Sequence, residues 1–152
     1  MKNIYKLLPI LFVAVLFSCD KGGGGDDPTP SELTALEKIQ GTWNLSSVTR
    51  DGADVSSEFS GFSIKISDTN YTITNGGTAW VDESGSIQNL DAQSPSSSFQ
   101  VTFTNSTSLT VDMSFSNENK TLTLSFTVNN TTFGGGRKTG LAGSYVFVVT
   151  KA

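Results

Sequence analysis

SLTVDMSFSNENKTLTLSFTVN, residues 108–129, is the stretch that decides the fold class. Leu109, Val111, Met113 and Phe115 alternate with Thr110, Asp112 and Ser114; after Asn117-Glu118-Asn119 the alternation resumes. Leu122, Leu124, Phe126 and Val128 are then set against Thr121, Thr123, Ser125 and Thr127. Successive side chains on a strand point to opposite faces, so each run has one dry face and one wet face. The short polar break between them is a turn signal, and a short link favours antiparallel neighbours.

The same period of two extends outward in both directions. Phe62, Ile64 and Ile66 alternate with Ser63, Lys65 and Ser67. Eight strands are predicted, at Thr42–Arg50, Gly61–Ser67, Tyr71–Asn75, Thr78–Asp82, Ser98–Thr104, Ser108–Ser116, Thr121–Asn129 and Ser144–Thr150. Turn signals separate them at Asp51-Gly52, Asn75-Gly76-Gly77, Glu83-Ser84-Gly85 and Asn105-Ser106. Between Ser84 and Ser97, Ile87 and Leu90 mark either one more short strand or a packed loop. A single helix signal precedes the strands: Thr34 and Glu37 have capping-box spacing, Leu33, Leu36 and Ile39 share a face, and Gly41 ends it. The class is therefore all-β and antiparallel, with a short N-terminal helix. A sheet with one apolar face must close or stack to hide it, which gives a barrel or a β-sandwich.

The N-terminus reads differently. Lys2 and Lys6 precede an apolar run from Leu7 to Phe17, too short to cross a hydrocarbon core and fitting a signal peptide over residues 1–18. Leu16-Phe17-Ser18-Cys19 resembles a bacterial lipobox. The resemblance implies cleavage before Cys19 and a thiol carrying fatty-acyl chains such as palmitate. Two or three such chains anchor a protein to a membrane far more firmly than one. Residues 19–30, with four consecutive glycines and then Asp26, Asp27, Pro28, Thr29 and Pro30, have the composition of a flexible tether. Residues 31–152 form one domain. Cys19 is the sole cysteine, so no disulfide forms within the chain.

LEKIQGTWNLSSVTRD, residues 36–51, is similar to the opening of lipocalin-like lipoproteins, with Gly41 and Trp43 in the Gly-x-Trp step. Small, largely uncharacterised lipoproteins of the Bacteroidota look similar over most of the domain. The resemblance implies an eight-stranded up-and-down barrel, with Trp43 packed at its closed end, and a cell-envelope location at the outer membrane. It also implies an arginine from near the last strand packed over Trp43, for which Arg137 is the candidate.

Chemistry-bearing residues are few. The chain has no histidine, which removes Ser-His-Asp and Cys-His nucleophilic sites and imidazole metal centres. No cofactor or metal site is predicted. Asp82-Glu83 and the group Asp51, Asp54 and Glu58 read as solvated surface carboxylates, and GGGRKTG lacks the glycine that a phosphate loop needs before its lysine. A net charge of −4 and the absence of a basic stripe argue against nucleic acid. An enzyme is not expected.

Two uses of the dry face stay open, a packed core and an apolar cavity. For the second, Trp43, Phe62, Tyr71, Phe103, Phe115 and Phe126 are the candidate lining residues, with Arg137 at the mouth. The expected function is a membrane-tethered module binding a small apolar or amphipathic ligand at the cell envelope. The alternative is a protein-interaction module, an inhibitor or accessory subunit of an envelope complex, with a filled barrel.

Overall fold

The computed structural model describes residues 33–77, 79–80, 82–90, 97–129 and 142–152. All lie in the second of two compact units, Glu32–Ala152. The signal peptide, Cys19, the tether and Arg137 lie outside the described residues.

A short helix, α1 (Ala35–Ile39), leads into the strands. Thr34 caps it: its hydroxyl accepts from the Glu37 amide at 3.3 Å, and the Glu37 carboxylate accepts from the Thr34 amide at 2.8 Å. This box keeps the Glu37 carboxyl below its usual range, chiefly through the Thr34 backbone bond. The strands follow as β1 (Gly41–Arg50), β2 (Ala53–Asp54), β3 (Ser63–Ser67), β4 (Asn70–Thr74), β5 (Ser84–Gln88), β6 (Ser98–Thr104), β7 (Ser108–Ser116), β8 (Thr121–Val128) and β9 (Gly143–Lys151). From β3 to β9 each strand pairs antiparallel with the next in sequence.

β1 closes the sheet. Its first residues pair with β3, Trp43 opposite Ile64, while Trp43 to Arg50 pair with β9, ending at Arg50 opposite Tyr145. Eight strands thus form a closed antiparallel up-and-down barrel, and β2 is a two-residue addition paired to the end of β1. A sandwich would leave β1 and β9 unpaired. The β1–β9 register shifts between Leu45 and Ser47. That extra residue lets Trp43 and Val48, five apart, both point into the barrel; strict alternation would have put them on opposite faces.

Seven of the eight predicted strands appear with ends shifted by two residues or fewer. The strand predicted over Thr78–Asp82 is a correction. Among its described residues Ala79, Trp80 and Asp82 are in no strand, and the fourth strand of the wall is β5, over the Ile87 segment. Trp80 is only 2% exposed, because its ring enters the barrel from a connection rather than from the wall.

β5 carries its own signature. A Cβ at Gly85 would collide with the Thr104 carbonyl oxygen and lie 2.9 Å from the Tyr71 ring. β5 holds β4 through three pairs and β6 through three, so there is little ladder to absorb a displacement. Gly85→Ala is expected to cost about 1–3 kcal/mol, read as a lower urea midpoint. A change under a few tenths would mean that β5 shifts freely.

Candidate functional site

The buried rings of the described residues form two aromatic groups inside the barrel. At the α1 end stands Trp43, fully buried. Its Nε1 donates to the Ile39 carbonyl at 2.8 Å, which satisfies one of the orphan acceptors at the helix C-terminus. Phe115 lies 6.4 Å from the Trp43 ring, and Phe99 lies 5.6 Å from Phe115. The cation over Trp43 is Lys151 of β9, its Nζ 5.2 Å from the ring centroid. Arg137, the candidate for a place over this ring, lies outside the described residues.

At the opposite end the β1–β3 connection supplies Phe59, from a 3-10 turn (Ser56–Phe59), and the β4–β5 connection supplies Trp80. Trp80 is the hub of the second group. Its ring centroid lies 4.7 Å from Phe126, 5.3 Å from Phe103, 5.7 Å from Phe147 and 6.1 Å from Phe62. Phe59 packs edge-on against Phe147 at 5.0 Å, and Tyr71 edge-on against Phe103 at 4.7 Å. Edge-to-face and offset pairs at these separations are the favoured aromatic geometries.

Of the candidate lining residues, Trp43, Phe62, Tyr71, Phe103 and Phe126 are buried in the interior, and Phe115 is half-buried at the α1 end. They fall into the two groups just described, separated along the barrel. Phe59, Trp80, Phe147 and Lys151 are not among the candidate lining residues read from the sequence. Phe147 carried the alternation signal, whereas Trp80 carried a misleading one.

Carboxylates at the mouth hold turns. Asp82 accepts from the Ser106 hydroxyl at 2.5 Å, the Thr107 amide at 3.1 Å and the Thr107 hydroxyl at 3.2 Å, tying the Trp80 connection to the β6–β7 turn. Asp51 accepts from the Ser144 amide at 2.9 Å, Asp54 from the Ser56 amide at 2.8 Å, and Glu58 pairs with Arg50 at 3.4 Å. Among the described residues no three His, Cys, Asp or Glu side chains gather where they could hold a metal ion.

Burial pushes the Asp82 carboxyl up, but the bonds from Ser106 and Thr107 outweigh it and hold the group below the usual 3.8. A carboxylate depressed in the folded state contributes stability that is complete above the ordinary value and is lost as pH falls through the folded one. The Asp82 carboxyl carbon is accordingly expected to titrate below ordinary aspartates in a carbon-detected NMR series. A midpoint at or above them would remove the latch. Tyr71 moves the other way: burial first, and the Asp82 charge second, push its phenol up to about 12.

A void of about 10 Å³, a single water's worth, lies among Tyr71, Trp80, Asp82, Phe103, Thr107 and Leu109. On the outside a groove of about 430 Å³ runs past Gln100, Asp112, Ser114 and Ser125, with Gln100 Nε2 donating to Asp112 Oδ1 at 2.7 Å. A second, of about 420 Å³, lies at the mouth between Glu58, Ser60, Asn75 and Glu83. Compared with protein-family profiles, curated proteins and solved structures, the chain matches none.

Proposed function

We propose that the chain is a lipid-anchored β-barrel protein of the cell envelope, held at the outer membrane through Cys19, whose barrel is a filled scaffold working through its surface. It acts as a protein-interaction module, an inhibitor or accessory subunit of an envelope complex. The observation that carries this reading is the position of Trp80, whose indole occupies the barrel interior among Phe62, Phe103, Phe126 and Phe147. Small-molecule pockets have about 300–1,000 Å³. The two outer grooves have that size, and the void beside Trp80 does not. The lipobox-like residues before Cys19 support the anchor.

Native mass spectrometry of Ser31–Ala152, incubated with a lipid extract of the producing cell, is the test of the filled barrel. The expected mass is that of the bare domain, under conditions that preserve a control lipocalin complex. A reproducible added mass, lost on denaturation, would instead make the protein a carrier of small apolar ligands. Photo-crosslinkers placed at Glu83 and at Ser114 are expected to trap a discrete envelope protein in intact cells, and failure at both positions counts against the interaction module. Cys19→Ser is expected to move the protein from the membrane fraction to the soluble one.

A further inference from the structure

Trp80 is almost completely buried, and among the described residues its Nε1 has no hydrogen-bond acceptor. An indole N–H is a donor only, and a buried donor left unmet carries the full cost of its desolvation. The same residue lines the void of about 10 Å³, whose other lining residues include Tyr71, Asp82 and Thr107, which carry a phenol, a carboxylate and a hydroxyl. Phe103 and Leu109 complete it. A buried water needs about this much space and two to four polar partners. The residue with the orphan donor and three residues that carry acceptors thus line one cavity of a single water's size.

We infer that this cavity is a binding site for a single water molecule, which accepts from Trp80 Nε1 and donates to the Asp82 carboxylate. Asp82 has the capacity for it. An ionised carboxylate offers about four acceptor positions, and three protein donors, from Ser106 and Thr107, use its two oxygens. The water joins the buried indole to the carboxylate that fastens its connection to the β6–β7 turn. Plug and latch become one hydrogen-bonded unit. Tyr71 and Thr107 flank the site, and the Tyr71 phenol is not indispensable to the water.

Both tryptophans of the chain report on this. In ¹⁵N-labelled protein purified in detergent, the indole proton of Trp80 is expected to show a direct cross-relaxation peak to a long-lived water. The indole proton of Trp43, committed to the Ile39 carbonyl, is expected to show none. Trp80→Phe assigns the two signals. The peak is expected to survive Tyr71→Phe, with an unchanged Trp43 indole shift as the check on folding. Absence of a peak at Trp80 overturns the site. So does its loss in Tyr71→Phe, because the signal would then come from exchange through the phenol.

Discussion

Trp80→Ala is expected to lower the stability of the barrel by about 3–5 kcal/mol, the usual cost of deleting a large aromatic side chain from a core. The expectation stands at the upper part of that range for a structural reason. Trp80 touches rings from β6, β8 and β9 and from the β1–β3 connection, so its loss leaves a cavity walled by Phe62, Phe103, Phe126 and Phe147. Those walls belong to a closed sheet that cannot collapse inward without breaking its ladders. Guanidinium unfolding, followed by Trp43 fluorescence, should show a lower midpoint with an unchanged slope. Because an apolar cavity of this kind admits small aromatic molecules, added indole should raise the variant's midpoint and leave the parent's unchanged. A loss below about 1 kcal/mol would show that the connection carrying Trp80 lies over the barrel rather than inside it.

Trp43→Ala is expected to cost a similar amount, about 3–5 kcal/mol, by a different route. Trp43 ties together the elements at its end of the barrel: its N–H holds α1 through the Ile39 carbonyl, its ring packs near Phe115 of β7, and Lys151 of β9 covers it. A helix of five residues has no stability of its own in water. Trp43→Ala should therefore release α1 as well as weaken the closed end. Hydrogen exchange at the Lys38 amide, bonded to the Thr34 carbonyl at 3.0 Å, is the measurement, and protection should be lost. Trp43→Phe separates the two contributions. It keeps most of the packing, unpairs the Ile39 carbonyl, and should cost about 1–3 kcal/mol. Retained protection in Trp43→Ala would mean that α1 is held by Ala35, Leu36 and Ile39 alone.

The two tryptophans mark the difference in what could be read in advance. Trp43 announced itself because helix, glycine and tryptophan follow one another within a few residues, and local order is what a sequence displays most directly. Trp80 stood two residues from Thr78 and from Asp82, in a pattern indistinguishable from a short strand. Nothing within those residues encodes that the ring turns inward, because the rings that receive it come from positions 62, 103, 126 and 147. Lys151 over Trp43 has a related origin: the register of β9 on β1, Lys151 opposite Trp43, is what brings it to the ring.

What residues 41–152 dictated unaided is the all-β class, most of the wall strands and their antiparallel order. Those properties follow from side-chain alternation and short turns, which act between near neighbours. Closure into a barrel rather than a sandwich was decided by the pairing of β1 with β9, a contact between the two ends of the domain. The aromatic cluster around Trp80 was decided likewise, by rings drawn from strands and connections far apart in the chain. Burial is a property of the assembled sheet, and it ranks a half-buried Phe115 and a buried Phe126 differently although both occupy the same alternating pattern.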